Sequence, residues 1–308
     1  MFISIILLIL GFVLLSKGAD VLVDGASAVA RKFNIPEIVI GLTIVACGTS
    51  APEAAVSISS VINGATGVGV GNILGSNIAN ILLILGVSAL ISNLYVQKNT
   101  VLYEIPFVAF VSLLLMFFGW QYGMVSRVAA MILCALFVLF LFYLYIISKN
   151  QKDNVPQHEI MPVWKMVSFV IFGIAALIIG AKLTVNSAVD IARALNISER
   201  VIGLTVIAFG TSLPELITCI VAAIKKCSDI VIGNIIGSNI FNILFVLGIT
   251  GIIRPIPFEN VFLVDSAWGI VATVLLLIFV LRDRILTKSK GIIFLILYAI
   301  YVTTLIAV

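Results

Sequence analysis

The chain has 308 residues, 62% of them hydrophobic and only 10% charged, with a formal net charge of +4. A soluble domain carries roughly 25% charged residues, so this composition belongs in a lipid bilayer, and the small, dispersed charge excludes a nucleic-acid partner. Four scattered cysteines (Cys47, Cys134, Cys219, Cys227) make neither a disulfide framework nor a zinc motif, and the single histidine, His158, lies in a polar stretch, which excludes a histidine metal site.

A helix needs about 20 apolar residues to cross roughly 30 Å of hydrocarbon. Ten runs qualify, at about residues 2–29, 37–62, 67–91, 101–119, 124–147, 162–192, 199–223, 230–252, 261–280 and 292–307. They are continuous rather than alternating, which excludes spanning strands. The first run lacks the basic flank of a secretory signal and reads as a span. The one clearly polar stretch, Ser148 to Met161, separates five spans from five. The expected fold is therefore an all-α polytopic membrane protein with ten transmembrane helices. Residues 1–148 form a first unit, 149–161 a linker and 162–308 a second unit.

Basic residues set the expected orientation. Loops after odd-numbered spans hold Arg31, Lys32, Lys98, Lys149, Lys152, Lys165, Lys225, Lys226, Arg282, Arg284, Lys288 and Lys290; the other side holds Arg127, Arg193, Arg200 and Arg254. That bias puts the linker in the cytoplasm and both termini outside, in a multi-pass protein of the cell membrane.

The two units repeat one another. A shift of 162 residues aligns them without a gap from Gly18/Gly180 to Gly86/Gly248. GLTIVACGTSAPE at Gly41–Glu53 meets GLTVIAFGTSLPE at Gly203–Glu215, and GNILGSNIANILLILG at Gly71–Gly86 meets GNIIGSNIFNILFVLG at Gly233–Gly248. The identities concentrate in Gly, Thr, Ser, Pro, Glu and Asn, so shared hydrophobicity does not explain them. Five is an odd number, so the second copy enters the membrane from the opposite side. Such inverted repeats suit a carrier with two related states, one open to each face.

Of fourteen acidic residues, only Glu53 and Glu215 fall near the middle of a span, at one repeat position. A charge there costs on the order of 3 kcal/mol and usually marks function. Pro52 and Pro214 remove a backbone donor and clash with the carbonyls of Gly48 and Gly210, so each helix is expected to break and free carbonyls around Ala46–Thr49 and Ala208–Thr211. Thr49, Ser50, Thr211 and Ser212 add hydroxyls at the breaks. Ser76 and Asn80 share a helix face, as do Ser238 and Asn242. Asn77 and Asn239 point elsewhere and read as structural. Asp20, Asp24, Asp190, Lys17 and Lys182 read as interfacial groups. An all-oxygen set with two carboxylates suits Ca²⁺ or Na⁺. Competition between a divalent ion and Na⁺ or protons for one pair of acids is a sufficient basis for antiport. An intramembrane enzyme would need a reaction motif that is absent, and a channel draws nothing from the duplication.

With the paired GTSAPE/GTSLPE and GSN-I-x-N segments, the chain resembles the cation/Ca²⁺ exchanger superfamily, in particular compact prokaryotic sodium/calcium exchangers, over nearly its whole length. The resemblance implies a pocket between the paired repeats, with helices 1 and 6 sliding across the rest. It implies that Glu53 and Glu215 coordinate Ca²⁺ with the carbonyls of Thr49 and Thr211. Hydroxyls of Thr49, Ser50, Ser76, Thr211, Ser212 and Ser238, with carbonyls of Ala46 and Ala208, would complete flanking Na⁺ sites, and Asn80 and Asn242 would line the centre. Some relatives, including potassium-dependent ones, carry Asp where Asn242 stands; the amide argues against a K⁺ requirement and leaves Na⁺ and H⁺ open as counter-ion. Beyond transported cations and the bilayer, neither a cofactor nor an obligatory protein partner is implied.

Overall fold

The computed structural model describes residues 2–150, 161–195 and 208–307. Helix α1 (Phe2–Phe33) ends where Asn34 takes a left-handed backbone with φ 55°, a conformation Asn tolerates better than most residues. Pro36 opens α2 (Glu37–Thr49), which breaks at Ser50 and continues, bent by 49°, as α3 (Ala51–Ile62). The chain proceeds through α4 (Thr66–Ile91), α5 (Thr100–Tyr122), α6 (Arg127–Asn150) and α7 (Val163–Ala194). After a short turn at Ala208–Gly210 come α8 (Leu213–Ile224), α9 (Ser228–Ile253), α10 (Asn260–Leu281) and α11 (Lys288–Ala307).

Among the described residues, eight helices are long and apolar enough to cross a membrane, or nine if the bent α2–α3 pair is one span. The ten-span reading thus has nine members in view. The seventh, residues 199–223, lies partly outside the described residues, as does most of the linker at 149–161. The all-α expectation needs one amendment. Two tiny antiparallel pairs join loops between helices: β1 (Leu94–Tyr95) with β4 (Ile285–Leu286), and β2 (Met124–Val125) with β3 (Ile256–Pro257).

Burial separates inner from outer helices. The most apolar stretches of α4 and α9 are 78% and 94% buried, against 28% in α1 and α7. Helices α4 and α9 therefore form the interior. Helices α1 and α7 lie outside as an antiparallel pair, joined where glycine lets backbone meet backbone. A Cβ added at Gly18 would lie 3.0 Å from the Gly173 carbonyl, and one at Gly180 would lie 2.9 Å from the Gly11 carbonyl. Neither position has room for a methyl group.

Among the described residues, four helices contain a widened π turn: Gly41–Val45 in α2, Asn80–Ile84 in α4, Thr100–Glu104 in α5 and Phe241–Val246 in α9. Such turns recur at functional sites. Two of them contain Asn80 and Asn242.

Candidate ion site

The site is built on the two helix breaks. Ser50 (φ −81°, ψ 7°) separates α2 from α3, and Ser212 (φ −86°, ψ 5°) precedes α8, with Pro52 and Pro214 at the starts of the following helices. The first break is one residue wide. Ser50 N still donates to the Ala46 carbonyl at 3.0 Å, and Ala54 N resumes the ladder on the Ser50 carbonyl at 3.0 Å. This is narrower than the run of freed carbonyls expected from the prolines. Ala46 O also accepts from Thr49 Oγ1 at 3.3 Å, so it is doubly engaged. Of Ala208, only the backbone, at the start of its short turn, is described.

Each break reaches across to the other half. Ser50 Oγ donates to Glu215 Oε1 at 2.8 Å and lies 2.8 Å from Ser238 Oγ. Ser212 Oγ donates to Glu53 Oε1 at 3.2 Å and lies 3.2 Å from Ser76 Oγ. Thr49 Oγ1 donates to Asn234 Oδ1 at 3.0 Å, and Thr211 Oγ1 to Asn72 Oδ1 at 3.3 Å. Each of these contacts in one half recurs in the other under the 162-residue shift. The serine three residues before one glutamate holds the other glutamate, so each acid is hydrogen-bonded to the opposite half.

A second layer joins α4 to α9. Asn80 Nδ2 donates to Asn239 Oδ1 and Asn242 Nδ2 to Asn77 Oδ1, both at 3.0 Å. Among the described residues twelve buried side-chain oxygens have no hydrogen-bond partner, and four of them fall on the repeat-related pairs Glu53/Glu215 (Oε2) and Asn80/Asn242 (Oδ1). Leaving a buried acceptor unsatisfied costs about 1–3 kcal/mol. The four on Glu53, Glu215, Asn80 and Asn242 are hard oxygen acceptors in two repeat-related pairs, a chemistry that fits a cation. Among the described residues no three His, Cys, Asp or Glu side chains form a metal-sized group, so the formal charge at the centre comes from two carboxylates.

Glu53, Glu215, Thr49, Ser50, Thr211, Ser212, Ser76 and Ser238 thus take part in hydrogen bonds that cross between the halves, and Asn80 and Asn242 take part in a separate asparagine layer that also crosses between them. Sequence reasoning missed Asn72 and Asn234. Asn72 also donates to Ser57 Oγ at 3.0 Å and to the Glu53 carbonyl at 3.3 Å; Asn234 donates to Cys219 Sγ at 3.4 Å. Both stand one turn before Ser76 and Ser238 on the same face and are identical between the repeats, and that was the available signal. Asn77 and Asn239, read as pointing elsewhere, are in fact bonded to the site's amides.

Two more acids are buried, so burial is not confined to the mid-span pair. Glu104 Oε1 accepts from the Tyr143 hydroxyl, and Asp265 Oδ1 accepts from Tyr301 at 3.2 Å. They lie near the starts of α5 and α10. Among the interfacial groups, Asp20 and Asp24 of α1 both pair with Lys225 at the end of α8, at 2.6 and 2.7 Å.

A family model described as sodium/calcium exchanger protein matches residues 3–146 and 165–307. The chain belongs to the sodium/calcium exchanger family. It is 32% identical to the sodium/calcium exchanger MaX1 of Methanosarcina acetivorans, with 98% of each chain covered. It is 38% identical to the inner membrane protein YrbG of Escherichia coli over 83% of this chain and 81% of that protein. A solved structure of the sodium-calcium exchanger NCX_Mj, soaked with zero Na⁺ and Ca²⁺, superposes with a TM-score of 0.86 at 36% identity, covering 99% of both chains. This exchanger is accordingly a multi-pass, all-helical membrane protein of the NCX_Mj type, and its family is one of ion antiporters rather than of catalysts.

Proposed function

We propose that this chain is a secondary antiporter exchanging Ca²⁺ for Na⁺ by alternating access at the site between Glu53 and Glu215. The observation that carries this reading is the set of four unpartnered buried oxygens on Glu53, Glu215, Asn80 and Asn242. Two carboxylates balance one divalent ion, and the hard, neutral amide oxygens complete its shell without adding charge. The serine pairs Ser50–Ser238 and Ser212–Ser76, with Thr49 and Thr211 and the carbonyls of Ala46 and Ala208, supply flanking oxygens of the kind Na⁺ uses. Proton exchange would need the acids alone, so the hydroxyl pairs favour Na⁺ over H⁺ as counter-ion.

The architecture we infer is ten spans in two inverted units, residues 1–148 and 162–308, with the linker at 149–161 cytoplasmic and both termini outside. Two observations support inversion. Helices α1 and α7 occupy corresponding positions in the units and run antiparallel. The β pairs also exchange partners between units: β1 and β3 are equivalent positions, yet β1 pairs with β4 and β3 with β2. Equivalent loops thereby face opposite sides. When the acids hold no cation or proton, two bare carboxylates lie in a low-dielectric interior, which opposes reorientation of the empty carrier and enforces exchange over leak.

The test is Ca²⁺ uptake into proteoliposomes driven by an imposed Na⁺ gradient at fixed pH. Uptake is expected to follow the Na⁺ gradient and to vanish in Glu53→Gln and Glu215→Gln. Uptake indifferent to Na⁺ but driven by a pH gradient would select Ca²⁺/H⁺ exchange instead. Normal exchange in either variant would reject the site.

A further inference from the structure

We propose that Asn77 and Asn239 are positioning residues: they fix the amide orientation of Asn80 and Asn242, so that the site presents oxygen, never N–H, to a cation. This rests on the ion site proposed above. An asparagine amide has an accepting face and a donating face of nearly the same shape. Half a turn about the last side-chain bond exchanges them, and an NH₂ group turned toward a cation repels it. Packing alone discriminates poorly between the two orientations, so a hydrogen bond must choose.

That bond is present in both halves. Asn80 Nδ2 is held by Asn239 Oδ1, and Asn242 Nδ2 by Asn77 Oδ1, at 3.0 Å each. The holders are themselves locked. Asn77 Nδ2 donates to the Asn239 carbonyl at 3.4 Å, and Asn239 Nδ2 to the Asn77 carbonyl at 3.3 Å. A holder that flipped would lose its own bond and turn an NH₂ against the NH₂ it should accept from. The backbone carbonyl thus orients the holder, and the holder orients the ligand amide. What remains is Oδ1 of Asn80 and of Asn242, both buried and unpartnered. All four asparagines are buried.

A carboxylate has two equivalent oxygens and needs no such orientation. The holder at position 77 should therefore matter while position 242 keeps its amide and lose its role once Asn242→Asp is introduced. This defines a double-mutant cycle on the reconstituted exchanger: wild type, Asn77→Leu, Asn242→Asp and the double variant. The readouts are the apparent KM for Ca²⁺ uptake, Ca²⁺ binding by calorimetric titration in detergent, and Tm. With Asn242 in place, Asn77→Leu is expected to raise KM and the dissociation constant by about tenfold or more, because a ligand oxygen is replaced by a misdirected donor. On top of Asn242→Asp the same change is expected to cost less than about threefold, near the limit of ordinary additivity. Equal penalties in both backgrounds would overturn the proposal and leave Asn77 as glue between α4 and α9. Failure to fold of both proteins that carry Asn77→Leu would overturn it as well, since the double variant has no amide to orient. Glu53→Gln is run alongside: undiminished exchange there rejects the ion site itself, whereas lost exchange with equal penalties in the cycle rejects only the positioning role.

Discussion

Two regions of this exchanger are assembled on opposite principles. At the centre, α3, α4, α8 and α9 meet through hydrogen bonds among Ser, Thr, Asn and Glu, nearly all of them crossing from one half to the other. On the flank, α1 and α7 meet through glycines, and α7 touches the helix breaks with apolar side chains: Ile174 lies over Gly48 and Val185 over Gly210. Hydrogen bonds weaken steeply with misalignment, so the centre has one good registration. Interhelical hydrogen bonds in membranes average only about 0.6 kcal/mol, and the centre draws its rigidity from their number. Apolar contact over glycine has little directional preference. The polar network is suited to holding one arrangement, and the glycine-joined pair to tolerating small shifts.

The contrast breaks most sharply at the flank seam. Gly18→Leu or Gly180→Leu forces a side chain where a backbone carbonyl already sits, an overpacking that costs about 1–3 kcal/mol or more. Turnover in proteoliposomes should fall by more than about tenfold while Ca²⁺ binding by the folded fraction stays within about twofold, because no ion donor is touched. A parallel loss of binding would mean that the seam shapes the site directly. Ser50→Ala and Ser212→Ala sharpen the other side of the comparison. Each removes one bond to the opposite glutamate and is expected to raise the Na⁺ concentration for half-maximal exchange by about threefold to tenfold, with both variants alike. A large difference between them would show that the two halves are not functionally equivalent.

The smallest effect belongs to Lys225→Ala, which cuts the ion pairs from α8 to Asp20 and Asp24 on α1. Burial pulls the Lys225 pKa down, but hydrogen bonds to the two aspartates outweigh it and hold the pKa above the usual lysine value. The tie is therefore complete below the ordinary lysine pKa and is lost only as pH rises through the raised one. Partly exposed pairs are worth about 0–1 kcal/mol, so turnover should change by less than about fivefold and Ca²⁺ affinity not measurably. An abolished activity would place Lys225 in the ion path.

Much of this was legible in the sequence. Continuous apolar runs fix helices whatever their neighbours, and the described span limits fall within a few residues of the reading. The repeat also brought out the glutamates, serines and asparagines that the structure shows buried and bonded between the halves. Contacts across the halves were not legible: nothing local says that Ser50 holds Glu215 rather than its own neighbour Glu53. Nor does position along a span reveal that Glu104 and Asp265 are buried, because their tyrosine partners lie 39 and 36 residues away. The face shared by Ser76 and Asn80 was followed one turn too short, which left out Asn72. Two-residue strands carry no periodicity to detect, and the π turns gave no signal in composition.

The Lys225 tie has no mirror image among the described residues. Under the 162-residue shift Lys225 corresponds to Asn63, and Asp20 and Asp24 correspond to Lys182 and Asn186, so the equivalent positions hold no acid to pair with a base. A carrier with perfect internal symmetry would spend its idle time evenly between its two faces. This one has a partly exposed ion-pair tie on one side only, worth about 0–1 kcal/mol. In the proposed alternating-access cycle that tie favours whichever state keeps α8 against α1, by a factor of at most about five.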